Sequence, residues 1–203
     1  MHVTFSSGPL TLEGELMSVD GAPRGAVICH PHPAYGGDMD NPVVLAVAGA
    51  LHDTGHTTLR FNFRGVGASG GSYGGGVGEV DDLRAAVQFL VQRTGNGSIT
   101  LAGYSFGAVI VLHVGPSAPQ VDRLVVVAPP LAVAGLEALA SCTKDKLFIV
   151  GDQDEYCSLA QLSAQLARVA EPKHHQVIAG ADHFFAGHTP AVAECVRSVC
   201  ASL

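Results

Sequence analysis

The sequence has no tryptophan, few charged residues and no strongly basic stretch. Only 14% of its 203 residues are Asp, Glu, Lys or Arg, against 47% hydrophobic, a balance that excludes an intrinsically disordered chain. Acidic residues outnumber basic ones 18 to 11, for a net charge of −7 with histidine neutral. A nucleic-acid-binding face needs clustered Lys and Arg, so nucleic acid is excluded as a partner. No apolar run reaches the ~18 residues a membrane-spanning helix requires; the apolar stretch Ala46–Leu51 is closed by His52 and Asp53. Met1-His2-Val3-Thr4-Phe5 lacks the basic region and apolar core of a secretion signal. The five cysteines, at 29, 142, 157, 195 and 200, are odd in number and lack metal-ligand spacing. Free thiols in a reducing, cytoplasmic setting are therefore expected. Internal repeats, low-complexity tracts and charge runs are also lacking.

What is present is a regular alternation of short β-rich runs with longer helical stretches over a single expected domain, residues 1–203. Val3–Ser6 and Leu10–Ser18 pattern as a hairpin about Gly8-Pro9. Gly25–Cys29, His56–Phe63, Ser98–Tyr104, Val121–Ala128, Lys146–Gly151 and His174–Ile178 follow as strands. Between them the pattern predicts helices from Asn41-Pro42 to Asp53, over Glu79–Arg93 (ended by Gly95-Asn96-Gly97), and over Phe106–Val114, Leu131–Ala140, Ser158–Ala170 and Thr189–Ala201. Such alternation implies a mostly parallel sheet with helices on both faces. Ligands in such sheets bind beyond the carboxyl ends of the strands, so residues that carry chemistry should stand just after strands.

Three candidates stand there. Gly103-Tyr104-Ser105-Phe106-Gly107 is a G-x-S-x-G motif between a strand and a helix. That setting presents the serine hydroxyl on a sharp, strained turn, with glycine where neighbouring chain would collide with a side chain. Gly151-Asp152-Gln153-Asp154 follows another strand, and Asp152, Asp154 or Glu155 could orient a histidine; the others would be caps or solvated turn residues. His183, in Gly180-Ala181-Asp182-His183-Phe184-Phe185, follows the last strand, and a neutral imidazole there can take the serine proton and return it to a leaving group. The chain has ten histidines, so what singles out His183 is the order Ser, Asp, His along an alternating chain.

With these motifs, together with His30-Pro31-His32-Pro33, Gly36-Gly37, Asp40-Asn41 and Phe61-Asn62-Phe63-Arg64-Gly65-Val66-Gly67 with Ser69, nearly the whole chain resembles the α/β-hydrolase superfamily. Within it, the chain is similar to the small, capless bacterial hydrolases that carry a His-Pro-His-Pro loop. The resemblance implies an α/β-hydrolase fold, a mostly parallel sheet of about eight strands with the second antiparallel, and no separate cap domain. It also implies Ser105 as nucleophile, His183 as base and a carboxylate of the Gly151–Asp154 loop as orienter. In such families the acid stands three residues after the glycine, which favours Asp154 over Asp152.

An acyl transfer needs two donors for the developing oxyanion. One is expected to be the N–H of Phe106, after the nucleophile. The other should come from the loop after Gly25–Cys29, where many relatives have His-Gly-x and this chain has His30-Pro31-His32. The prolines have no N–H to give, which nominates His32, with Ala34 or Tyr35 as alternatives. His30 and His32 lack a third ligand at metal spacing. The Gly65–Gly78 loop lacks G-x-x-x-x-G-K-[ST], so a nucleotide site is rejected. Arg64 is expected to pin that loop and Glu79 to cap its helix. The stretch Pro129–Lys144 is too short for a lid domain, and Tyr35, Tyr73, Pro129, Pro130, Leu131, Phe184 and Phe185 could line an open site.

The expected activity is cleavage of small carboxylic esters through an acyl-enzyme on Ser105, with no metal or organic cofactor. The expected partner is a small ester-like molecule, and a homodimer is left open. Thioesterase, peptidase or acyltransferase chemistry would use the same triad, and a binding protein could keep the fold without turnover. A flavodoxin-like binder would hold Ser105, Asp154 and His183 far apart.

Overall fold

Gly8, at φ +56°, turns the chain between two antiparallel strands, β1 (His2–Ser7) and β2 (Leu10–Met17), paired from His2 opposite Glu15 to Ser7 opposite Leu10. The structure is a computed structural model and describes residues 1–95 and 97–200. Asn96 of the expected Gly95-Asn96-Gly97 turn and Ala201, the expected last residue of the closing helix, lie outside the described residues.

After the hairpin, strands and helices alternate: β3 (Gly25–Cys29), α1 (Pro42–Asp53), β4 (Thr57–Phe61), α2 (Val77–Val91), β5 (Ile99–Tyr104), α3 (Phe106–Val114), β6 (Val121–Val127), β7 (Asp145–Gly151), α4 (Leu159–Leu166), β8 (Lys173–Ile178) and α5 (Thr189–Cys200). Asn41 caps α1 as its sequence predicts, its side chain accepting from the Val43 N–H while Pro42 takes the first helical position. One sheet of eight strands runs in the order β1-β2-β4-β3-β5-β6-β7-β8. β2 is antiparallel to both neighbours and every later pairing is parallel.

Every residue of β3 is buried, as a central strand covered on both faces requires. Its side chains divide with the two-residue period of a strand. Val27 and Cys29 join the core beneath α2, α3 and α4, and Ala26 and Ile28 join the core beneath α1 and α5. The chain leaves β3 for β4 on one side and returns to β5 on the other. That reversal puts the topological switch point between β3 and β5, and open α/β sheets hold their ligands at the carboxyl ends of such strands.

Two helices depart from expectation. Leu131–Ala140 holds only a 3-10 turn at Glu137–Leu139. Pro129-Pro130 and the interior Gly135 give that stretch little helical preference, and it stays short, with no separate cap domain among the described residues. α4 stops at Leu166, before the expected Ala170, while Ser158 caps its start through the Gln161 N–H. No helix of the described residues is long and apolar enough to cross a membrane.

Candidate active site

Ser105 sits between β5 and α3 at φ 54°, ψ −115°, a conformation that costs an L-residue roughly 1–3 kcal/mol. The flanking glycines make the turn possible. A Cβ at Gly103 would lie 2.3 Å from the Gly107 carbonyl oxygen, and one at Gly107 would lie 2.4 Å from that of Cys29. The other non-glycine residues at positive φ are Ala128 (45°) and Phe185 (52°), so backbone strain among the described residues collects at this edge of the sheet.

His183 reaches the serine from the loop after β8, its Nε2 2.9 Å from Ser105 Oγ. The Tyr104 hydroxyl donates to the His183 carbonyl at 2.8 Å and fixes that loop. Burial, with Asp154 and Asp182 nearby, raises the Tyr104 pKa, so the phenol keeps its proton to donate. His183 Nδ1 lies 3.0 and 2.9 Å from the two carboxylate oxygens of Asp154, which follows β7. Asp154 Oδ1 also accepts from the Tyr156 and Cys157 N–H groups, at 2.8 and 3.0 Å. A carboxylate on Nδ1 holds the ring proton there and leaves the Nε2 lone pair facing the serine. The two loops meet closely because residue 151 is glycine: a Cβ there would be 2.1 Å from the Ala181 carbonyl oxygen.

The other acidic candidates point elsewhere. Asp152 Oδ1 accepts from the Gly180 N–H at 2.8 Å, tying the loop that carries His183 from behind, and Glu155 is exposed. Thiol chemistry is also unsuited to this edge. Burial, then Asp154, pushes Cys157 up to about 12, and burial pushes the Cys29 thiol well above its usual range, so neither offers a thiolate.

The loop after β3 forms the opposite wall. His32 precedes a 3-10 turn over Pro33–Tyr35, and its ring packs at about 5 Å on Tyr35, Tyr73 and Phe106. The Ala34 N–H donates to His32 Nδ1 and the Tyr35 N–H to the His32 carbonyl. The N–H groups of His32 and Phe106 make no hydrogen bond within the protein among the described residues.

His30, fully buried below, has both ring nitrogens engaged: Nε2 accepts from the Phe63 N–H at 3.1 Å and Nδ1 faces the Pro31 carbonyl at 2.7 Å. Neither nitrogen is left for a metal ion. Burial, only partly offset by the Pro31 bond and Asp38, lowers its pKa from 6.5 to about 4. The unfolded chain therefore binds this proton more readily, and stability present at neutral pH is lost as pH falls from about 6.5 towards 4. Between pH 7 and 4.5 the fall from His30 should be about 2–3 kcal/mol. Urea unfolding at both pH values should show it, and His30→Gln should shrink it; an undiminished fall in the variant would remove His30 as the cause.

The glycine-rich loop is anchored as the sequence suggests, through a partner the sequence did not single out. Arg64 makes a two-pronged ion pair with the fully buried Asp82 of α2, which also accepts from the Ser7 hydroxyl. Glu79, equally buried, accepts from the Gly74 and Gly76 N–H groups. Asp82 carries no local motif and Tyr104 is a variable position of G-x-S-x-G, so only the fold reveals their partners. Of the expected lining residues Phe185 is instead buried against Tyr104, and Pro129 and Leu131 are buried too, whereas Tyr35 and Tyr73 stand exposed against His32, and Tyr156 and Phe184 against His183. Shallow depressions of about 400 and 540 Å³ lie at the amino-terminal ends of β5 and β6, and none of Ser105, His183 or Asp154 lines them.

A family model described as the alpha/beta hydrolase fold matches residues 27–141. The chain is similar to an alpha-beta serine hydrolase homologue from Coxiella burnetii, with 37% identity, 98% of this chain and 96% of that one covered, and a TM-score of 0.91. It is similar also to a serine hydrolase without lid from Xanthomonas campestris, with 31% identity, 98% and 92% covered, and a TM-score of 0.85. An uncharacterized protein of Rickettsia prowazekii is 35% identical over 181 residues, 85% of this chain and 76% of that protein. Fold, family match and relatives of this similarity and coverage agree: the chain belongs to the alpha/beta hydrolase family.

Proposed function

We propose that the chain is a serine hydrolase that cleaves small carboxylic esters through an acyl-enzyme on Ser105. The observation that carries this reading is the continuous hydrogen-bonded series from Ser105 Oγ to His183 Nε2, at 2.9 Å, and from His183 Nδ1 to Asp154, at 2.9 Å. Ser105 Oγ attacks the ester carbonyl as its proton passes to Nε2. The N–H groups of Phe106 and His32 hold the resulting oxyanion; among residues 31–35 the latter is the one left uncommitted, since Ala34 and Tyr35 donate within the loop. Asp154 stabilises the imidazolium, which then protonates the departing alkoxide. Water, activated by the same imidazole, releases the acid and restores the serine. Each proton and electron pair in this sequence is carried by the protein, the ester or water, so no metal or organic cofactor is invoked. No separate cap domain stands over the half-buried Ser105 among the described residues, which supports small substrates that enter directly from solvent, and the free cysteines support a reducing, cytoplasmic setting.

A fluorophosphonate probe tests the reading. It should label the protein once, with the adduct mapped by mass spectrometry to Ser105, and a panel of ester, thioester and amide substrates should show ester turnover fastest. Labelling elsewhere, or none, would overturn the nucleophile; thioester or amide turnover ahead of ester would overturn the substrate class alone.

A further inference from the structure

Hydrolysis at Ser105 fixes where the departing alcohol must lie. The imidazole returns its proton to the leaving oxygen, so that oxygen has to come within about 3 Å of His183 Nε2. Whatever it carries is then held beside the imidazole. Two aromatic rings already flank it there. Tyr156 packs on the His183 ring with centroids 4.6 Å apart, and Phe184 meets it edge-on at 5.7 Å. Both stay more than half exposed, at 54% and 66%.

Their backbones are held. The Tyr156 N–H donates to Asp154 and its carbonyl accepts from Leu131, and the Phe184 N–H donates to Asp182. Their rings keep a large free surface: among the described residues neither has an aromatic contact besides His183, and the Tyr156 hydroxyl has no hydrogen bond. The opposite flank differs. There the Tyr73 hydroxyl is engaged by His32 Nε2 at 3.1 Å, and the rings of Tyr35, Tyr73 and Phe106 surround His32. Those aromatics brace the oxyanion loop, while the uncommitted ring surface lies on the leaving-group side.

The geometry points to Tyr156 and Phe184 as a leaving-group subsite, and to esters of alcohols bearing an aromatic ring as the preferred substrates. This rests on the assignment of Ser105 and His183 proposed above. The alcohol's ring lies against the two exposed rings while its oxygen meets Nε2, and the offset or edge-on packing favoured by aromatic pairs sets the preference.

Benzyl acetate and cyclohexylmethyl acetate separate ring recognition from bulk, since both release a similarly sized, poorly acidic alcohol. The protein should favour the benzyl ester by about three- to tenfold in kcat/KM. Phe184→Leu and Tyr156→Leu keep apolar bulk at each position, and at least one should bring that ratio towards one, chiefly by raising KM for the benzyl ester. A ratio near one in the unmodified protein, or a ratio retained in both variants, overturns the subsite while probe labelling at Ser105 leaves the hydrolase reading intact. Loss of labelling in the unmodified protein overturns the hydrolase reading, and the subsite with it.

Discussion

Ser105→Ala is expected to lower kcat on any ester the protein cleaves by about 10⁴- to 10⁶-fold, with KM little changed, because the removed oxygen forms its bond to substrate only on the way to the transition state. A residue of catalysis over water should survive, since oxyanion donors act whether or not a nucleophile is present. Stability should shift by no more than about 1 kcal/mol, the worth of the one hydrogen bond lost to His183. Ser105→Gly adds a second readout. Ser and Ala both carry a Cβ into the φ 54° turn, whereas glycine enters it freely. The glycine variant should therefore be as inactive as the alanine one but about 1 kcal/mol more stable, after allowing for the extra freedom of glycine in the unfolded chain. Denaturant midpoints and steady-state rates on the three proteins decide it. An alanine variant of normal activity would remove Ser105 from the mechanism, and a glycine variant no more stable than alanine would show that the elbow stores no strain.

The parts of this site legible in the sequence are those that local geometry dictates. Glycines at 103 and 107 are demanded by backbone lying 2.3–2.4 Å from where a Cβ would stand, so G-x-S-x-G carries its own structural reason. The same holds for Asn41-Pro42 at the start of α1, where cap and first helical residue are adjacent in the chain. What the sequence leaves open is set by contacts between distant segments. Tyr156 meets His183 across 27 positions, and Arg64 finds Asp82 only once α2 packs beside the glycine-rich loop. Phe184 and Phe185 look alike in sequence. The left-handed backbone at 185 sends one ring into the core and leaves the other in solvent, a distinction no pattern of residue types contains. Leu131–Ala140 fails as a helix for a related reason: its apolar positions, Leu131, Ala134, Leu136 and Leu139, are buried by tertiary packing without needing a helical stripe.

The choice between Asp152 and Asp154, undecided by composition or spacing alone, has opposite expected outcomes on substitution. Asp154→Asn should cut kcat/KM by about 10³- to 10⁴-fold. Two backbone donors, the Tyr156 and Cys157 N–H groups, converge on Asp154 Oδ1. An asparagine there must keep its carbonyl oxygen at that place to satisfy them, which leaves its NH₂ facing His183 Nδ1. An amide that donates to Nδ1 forces the ring proton onto Nε2, and an Nε2–H cannot accept from Ser105. The variant thus keeps its shape and loses the tautomer that catalysis needs. Asp152→Asn differs because the Gly180 N–H asks only for one acceptor oxygen, which the asparagine carbonyl still supplies. Its kcat/KM should stay within about threefold of the unmodified protein, as for other exposed substitutions that preserve their hydrogen bond. Paired kinetics on the two variants, with unfolding midpoints to verify that both are folded, separate the roles. Equal losses would mean that the charge of Asp152, beyond its tie to Gly180, matters as much as the carboxylate on Nδ1, and would overturn the assignment of the orienting role to Asp154 alone. A loss confined to Asp154→Asn would assign the orienting charge to the carboxylate whose Oδ1 is already fixed by two backbone donors.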